Sequence, residues 1–254
     1  MKTILGFRVG IAVFAAFFIG FPAVPPIPAQ ESAVSAKQLA QLLDRHYSHL
    51  KTLRATFLQR YNDGPKESRV ESGTVYFRRP GQMRWEYESP EKKLFLTDGK
   101  TVWFYVPYDR TVTKTAVKDS SDWRTPLALL TGKVDLSRLC SVVDLAEQRG
   151  VPPGHSVLRC LPKGEKRETP ASQSGKSDAA LGPAGEDDFT EVFLEVDSET
   201  GELARIEVRQ RGGVDLEYRF GGWQIDPPLS KEMFEFQVPR GVAIVNGAGQ
   251  GDSP

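Results

Sequence analysis

The sequence predicts a mainly β protein, one large antiparallel sheet of about eleven strands in up-and-down order. Three observations predict it. From Leu53 onward apolar residues recur at every second position, the period of a strand with one covered face. Turn formers interrupt that pattern at short intervals, and 23 Gly with 18 Pro in 254 residues exceed the usual combined share of about 12%. Helices alternating with strands, the mark of a parallel sheet, do not occur. A content of 39% hydrophobic and 10% aromatic residues supplies a core and excludes collagen, a coiled coil and a wholly disordered chain. Lys plus Arg equals Asp plus Glu at 33 each; without a basic excess no nucleic acid is expected as a partner.

The elements follow in order. Lys2 and Arg8 accompany an apolar run from Val9 to Phe21, shorter than the ~20 residues of a membrane span. Pro22, Pro25, Pro26 and Pro28 then end any helix. This is the pattern of a secretory signal peptide over residues 1–29, cut after Ala29 with Ala36 as second choice, and a retained anchor is the alternative. The mature domain runs over 30–246. Ser35 to Leu50 is an amphipathic helix, with Leu39, Leu42, Leu43, Tyr47 and Leu50 on one face. Alternating sets then mark strands: Leu53, Ala55 and Phe57; Val75 and Phe77; Met83, Trp85 and Tyr87; Leu94 and Leu96. Asp98-Gly99 is a hairpin signal, and Thr101 to Val106 is apolar enough to be covered on both faces.

Thr125 as N-cap, Pro126 at the first helical position and Gly132 as stop delimit a short helix, in which Leu127, Ala128, Leu129 and Leu130 are apolar all round. Residues 163–188 hold almost no large apolar side chain and read as a disordered insertion. Strands resume at Phe189 to Val196, Leu203 to Gln210 and Val214 to Phe220. Met233 to Phe236 makes a last short strand, and residues 247–254 are a frayed tail.

An exported chain meets an oxidising compartment, which makes Cys140 and Cys160 informative. Each lies in an alternating segment, and the turn signal Arg149 to Gly154 between them places the two opposite each other across a hairpin. A disulfide staple is the expectation. A redox couple would want a C-x-x-C spacing and a neighbour that stabilises thiolate, and the sequence has neither.

Catalytic patterns are largely missing. There is no H-E-x-x-H and no G-x-S-x-G, and metal binding by the three His (46, 49 and 155) would need two distant segments to converge. Gly99-Lys100-Thr101 lacks the leading Gly of a phosphate loop, and Gly247-Ala248-Gly249 lacks a following helix. No carboxylate sits in a marked apolar setting that would raise its pKa for acid catalysis. No catalytic residue, metal or cofactor is assigned, and an esterase or glycosidase is the weaker class of reading. What stands out instead is apolar surplus. Met83, Trp85, Trp103, Tyr105 and Leu127 to Leu130 exceed what two short helices need for covering one sheet face. Either they form a packed core, or they line an apolar cavity under a helical lid, suited to acyl chains.

Two segments carry a family resemblance. Phe77-Arg78-Arg79-Pro80-Gly81-Gln82-Met83-Arg84-Trp85 and Leu96-Thr97-Asp98-Gly99-Lys100-Thr101-Val102-Trp103-Phe104-Tyr105 resemble the periplasmic outer-membrane lipoprotein carriers, the LolA family. Thr125-Pro126-Leu127 resembles the start of that family's lid helix, and Phe234 to Val242 its closing strand and turn. The resemblance runs from about Ser35 to Val242. It implies an incomplete antiparallel β-barrel with short helices forming a lid over an apolar cavity. It implies a non-enzymatic monomer of the periplasm that takes acylated lipoproteins from an inner-membrane ABC transporter to an outer-membrane acceptor. Arg79 corresponds to the family's gating arginine, with Leu127, Leu129 and Leu130 in the lid. The cavity set is then Val75, Phe77, Met83, Trp85, Tyr87, Leu94, Leu96, Trp103 and Tyr105. Met83 stands where many members have Phe, and the Cys pair and the insertion depart from the family pattern. A lipid-sensing regulator or lipid-binding module of the same fold, without a shuttle role, is the second reading.

Overall fold

A computed structural model describes residues 34–64, 67–117, 130–131, 136–163, 189–210 and 212–247. The expected signal peptide over 1–29, Leu127 and Leu129 of the expected second helix, and nearly all of the expected insertion and tail lie outside the described residues.

Helix α1 spans Ala36–Ser48. Ser35 caps it: its hydroxyl accepts from the Gln38 amide, and the Gln38 side chain accepts from the Ser35 amide at 3.0 Å. This reciprocal box satisfies two amides that the first turn leaves without partners. Leu39, Leu43 and Tyr47, spaced four apart, are the helix's buried residues.

The strands are β1 (Thr52–Asp63), β2 (Glu67–Arg78), β3 (Gln82–Ser89), β4 (Lys93–Thr97), β5 (Thr101–Val106) and β6 (Thr111–Ala116). After the short helix α2 (Leu136–Leu139) come β7 (Cys140–Ala146), β8 (His155–Pro162), β9 (Phe189–Asp197), β10 (Leu203–Gln210), β11 (Val214–Ile225) and β12 (Ala243–Asn246). They form one 12-stranded sheet in the order β12-β6-β5-β4-β3-β2-β1-β11-β10-β9-β8-β7. Two meanders, β1 to β6 and β7 to β11, join through the β1–β11 pair, and every pairing is antiparallel except β12 on β6. The edges β12 and β7 do not pair with each other. The result is an incomplete, mainly antiparallel barrel.

Two expectations are corrected here. Twelve strands among the described residues agree with the expected count of about eleven, but Met233 to Phe236 is not one of them. Glu232–Phe234 is a single 3-10 turn that buries Phe234, and the Phe236 ring stacks on Trp103 at 5.2 Å. The alternation of these apolar residues serves packing onto the sheet, not pairing within it. The closing strand is Ala243–Asn246, exposed throughout and therefore without an alternating signature. The cysteines are bonded, with Cα atoms 5.4 Å apart. They are not directly opposite, because a register shift between Cys140 and Val142 puts Cys140 against Pro162 and Val143 against Cys160.

The sheet has two unlike faces. On the one that carries α1, the buried cluster runs from Leu39, Leu43 and Tyr47 through Phe57, Phe77, Trp85 and Tyr218 to Leu194, Ile206 and Cys160. On the other, the chain after β11 folds over β3 to β6. Leu96, Val112 and Phe234 are fully buried there, and Arg84 Nη1 donates to the Met233 carbonyl at 2.9 Å. Farther along that face, β7 to β11 carry an alternating ladder of charges. Arg205 is held by Glu195 and Glu207 at 2.8 Å each, Arg159 by Asp144 at 2.6 Å and Arg209 by Glu191 at 3.2 Å.

Candidate functional site

Alternation along β1, β2, β3 and β11 brings aromatic rings together beneath α1. Phe57 and Trp85 approach edge to face at 4.8 Å, and Phe57 meets Tyr87 in the same way at 5.1 Å. Tyr218 lies 5.5 Å from Trp85 on its other side. Offset and edge-on arrangements of this kind suit the ring quadrupoles. Gly73 makes the crowding possible. It pairs with both Phe57 and Tyr87, and a Cβ there would lie 1.9 Å from the Glu86 carbonyl oxygen.

Trp223 completes the cluster. It stacks on Phe77 at 6.4 Å, meets Tyr47 of α1 at 5.9 Å, and donates its indole N–H to the Leu203 carbonyl at 2.9 Å. Sequence reasoning missed it because strand alternation was followed only to Phe220. A bulge puts it there: β1 advances from Arg54 to Thr56 while β11 goes from Gln224 to Gly221, and Gly222 takes φ +60°. The signal was the Gly221-Gly222 pair inside a strand pattern. Tyr47 is tied in by its hydroxyl, which accepts from the Leu203 amide at 3.0 Å, and burial pushes its pKa up.

Helix α1 is fixed to the β9–β10 turn at two more points. His46 Nδ1 lies 2.8 Å from the Thr200 carbonyl oxygen. Gly201, at φ +81°, comes so close beneath the helix that a Cβ would lie 2.8 Å from the Leu42 carbonyl oxygen.

Arg79 sits at the turn between β2 and β3. Its Nη1 donates to the carbonyl of Ser48, the last residue of α1, at 3.2 Å, and its Nε donates to the carbonyl of Leu130 at 3.4 Å. Beside it, the Gly81 amide donates to the Thr131 carbonyl at 3.2 Å. Leu130 and Thr131 are both buried. Partial burial lowers the Arg79 pKa, and the group stays cationic, as guanidinium does in proteins.

The nine cavity residues read from the sequence divide between the two faces. Val75, Phe77, Met83, Trp85 and Tyr87 share the α1 face. Pairing then sets β4 and β5: Trp85 opposes Phe95, and Phe95 opposes Phe104. Directly paired residues share a face, so Phe95, Val102 and Phe104 point to the α1 side. Leu94, Leu96, Trp103 and Tyr105 point to the other, where Phe236 covers Trp103 and Tyr105.

Away from α1 the same face turns polar. The Tyr87 hydroxyl donates to Gln59 Oε1 at 2.9 Å, and Lys93 Nζ lies 2.5 Å from Glu71 Oε1, both side chains about nine-tenths buried. The site is thus an aromatic sector with a helix at one end and a paired polar cluster at the other. Among the described residues, no group of three or more His, Cys, Asp and Glu is placed to hold a metal ion. A charged depression of about 420 Å³ opens on the opposite face, lined by Glu195, Arg205, Glu207, Glu217 and Arg219 among others. Each of its three strand carboxylates named here is bound to an arginine.

Residues 48–152 match the family model described as outer membrane lipoprotein carrier protein LolA. The chain is 32% identical over 211 residues to the outer-membrane lipoprotein carrier protein of Xanthomonas campestris pv. campestris, covering 82% of this chain and 88% of that one. The chain belongs to the LolA family. The carrier protein of Azotobacter vinelandii is 30% identical over 220 residues, with 86% and 91% covered. Among solved structures, an uncharacterized conserved protein from Thermus thermophilus is similar over 83% of this chain and 98% of that one, at TM-score 0.48 and 13% identity. That loose likeness adds nothing to the LolA assignment. The stretch matched by the LolA model includes Arg79 and all nine predicted cavity residues.

Proposed function

We propose that this protein is a periplasmic lipoprotein carrier. It shields the acyl chains of its cargo on the α1 face of the sheet and passes the cargo from an inner-membrane ABC transporter to an acceptor at the outer membrane. The observation that carries the reading is the aromatic sector from Phe57 to Trp223 beneath α1. Membership of the LolA family, whose relatives are named carriers, supports it.

The energetics make such a carrier passive. Three acyl chains of ~16 carbons gain up to ~40 kcal/mol gross on leaving water, at ~0.8 per CH₂. A protein cavity can shield them but hardly outcompetes a bilayer for them. Loading therefore needs an external energy source, and release needs an acceptor that binds better. The cluster is closely packed, with Trp85 and Phe77 fully buried, so acyl chains can enter only if α1 and the segment at Leu130 move off the rings. Arg79, hydrogen-bonded to both, opposes that movement and keeps the loaded state weak enough for handover. Leu130 marks the segment that acts as the lid in this reading. The protein acts as a monomer and leaves its lipid chemically unchanged.

Native mass spectrometry of protein taken from periplasm tests the reading. The expected result is a monomer carrying intact acylated lipoprotein, released when a membrane acceptor is added. Recovery of free lipid with no lipoprotein would favour the lipid-sensing regulator, and recovery of cleaved lipid an esterase.

A further inference from the structure

Trp85 lies at the centre of the aromatic sector, fully buried, yet its indole Nε1–H has no hydrogen-bond partner. Three other polar groups of the sector are paired. Trp223 Nε1 donates to the Leu203 carbonyl, the Tyr87 hydroxyl to Gln59, and the Tyr47 hydroxyl accepts from the Leu203 amide. Rings surround Trp85 at 4.8 Å (Phe57), 5.5 Å (Tyr218), 6.2 Å (Phe77) and 6.3 Å (Phe220). Aromatic faces accept an N–H only weakly. A buried donor left in this state is unfavourable, and phenylalanine would fill an apolar core without that penalty. Buried tryptophan is ordinarily found with its N–H satisfied.

We infer that Trp85 Nε1–H is the polar anchor of the site, donating to an acyl ester carbonyl of the bound lipid. The inference rests on the carrier reading above and adds the one polar contact that the apolar site makes. Acyl chains alone offer no directional contact to fix their position, since apolar burial is non-directional and each CH₂ is like the next. An ester carbonyl is an acceptor at a fixed point of the lipid, at the junction of chain and glycerol. A donor reserved for it sets the register of the chains against the sheet. It also makes the loaded state the one in which the indole is satisfied.

The test is a cycle of two ligands and two proteins. The ligands are a diacylglyceryl-cysteine peptide with two palmitoyl esters and its dihexadecyl ether counterpart, equal in chain length but without the carbonyls. The proteins are the wild type and Trp85→Phe, which keeps a ring and removes the donor. Wild type should prefer the ester by about fivefold, the scale of one net hydrogen bond, and Trp85→Phe should bind both alike. An ester preference that survives in Trp85→Phe overturns the inference, and so does equal binding of ester and ether by the wild type whichever lipid carries them. Equal binding leaves the acyl site standing, whereas binding of neither ligand removes the site as well. Running the same pair as phosphatidylglycerols tells a lipoprotein carbonyl from a phospholipid one: an ester preference present in the wild type and lost in Trp85→Phe supports the donor in whichever arm shows it, and its absence from the wild type in both arms overturns the proposal. A measurement on the wild type covers the case in which Trp85→Phe does not fold. The ¹⁵N-indole resonance assigned to Trp85 should move downfield with the ester and stay in place with the ether, and a resonance indifferent to both overturns the proposal.

Discussion

The guanidinium of Arg79 donates to the backbone carbonyl of Leu130 at 3.4 Å, joining the β2–β3 turn to a segment 51 residues later in the chain. Its other contact is the Ser48 carbonyl at the end of α1. Helix C-terminal carbonyls lack intrahelical donors, and a cation there also meets the negative end of the helix dipole. One side chain thus holds two pieces of chain against the rim of the aromatic sector.

Arg79→Leu removes every donor while keeping an aliphatic side chain. The closed, empty state should lose about 1–3 kcal/mol, the usual scale for hydrogen bonds from a charged group. In the carrier reading the loaded state has already given those bonds up, so its free energy changes little. Loading should become easier and handover harder. In a transfer assay with a membrane acceptor, wild type should empty while Arg79→Leu stays loaded. Equal transfer by both would make Arg79 an ordinary structural arginine.

The Cys140–Cys160 bond closes a separation of 20 residues beside α2 and joins the α1-face cluster. Constraint of the unfolded chain by a loop of that size contributes roughly 3 kcal/mol in the chain-entropy model. Reduction should therefore lower the melting temperature by several degrees, while reduced protein at moderate temperature still binds cargo, because neither sulfur belongs to the aromatic sector. Loss of binding on reduction without loss of fold would mean that the bond shapes the site itself.

The β9–β10 turn that holds α1 has its own acid sensitivity. Asp197 Oδ1 accepts from the Thr200 amide at 2.7 Å and the Glu199 amide at 2.9 Å. Those bonds, the Thr200 one foremost, hold the Asp197 pKa below its ordinary value, with the charge of nearby His155 a lesser contribution. A carboxyl whose pKa is depressed on folding adds stability that is fully present above its unfolded pKa. That stability is lost as pH falls through the folded value, below the usual Asp range. Asp197→Ala should thus destabilise the protein at neutral pH and flatten its stability profile at acid pH. Parallel acid profiles for wild type and variant would assign the acid sensitivity to other carboxylates.

Much of this was legible in the sequence, and what was not has a physical reason. Helix α1 was readable because its capping box and its four-residue apolar spacing agree. The hairpin at Asp98 was readable because Asp98 Oδ1 takes the amides of Lys100 and Thr101, a local interaction that needs no tertiary partner. Strands β2 and β3 show their inner face because only one of their faces is apolar. Strand β5 does not: Val102 and Phe104 pack into the α1-face cluster while Trp103 and Tyr105 pack beneath Phe236. With both faces apolar, alternation carries no sign, and the face follows only from pairing with Trp85 through Phe95. The bulges at Cys140 and Gly222 change parity locally and so hid both the true cysteine offset and Trp223. Strand β12 pairs in parallel with β6 across more than a hundred residues of chain and leaves its side chains exposed, so no periodic signal marks it.

The division of the predicted cavity residues gives the most direct test of the site. Trp85 and Trp103 lie in neighbouring parts of one sheet, on strands separated only by β4, yet on opposite faces. If the α1 face takes the acyl chains, Trp85→Glu should abolish lipoprotein binding, because an unpaired carboxylate among Phe57, Phe77 and Tyr218 costs several kcal/mol. Trp103→Glu should act differently. It removes the stacking partner of Phe236 and loosens the C-terminal segment, lowering the melting temperature by a few degrees while leaving cargo affinity within about twofold, since surface packing changes of this kind are usually worth about 1 kcal/mol. Each variant would be checked for fold by circular dichroism before cargo binding is measured. Unchanged binding by folded Trp85→Glu would remove the α1 face as the site. Lost binding by Trp103→Glu, with Trp85→Glu intact, would move the acyl chains to the face beneath Phe236.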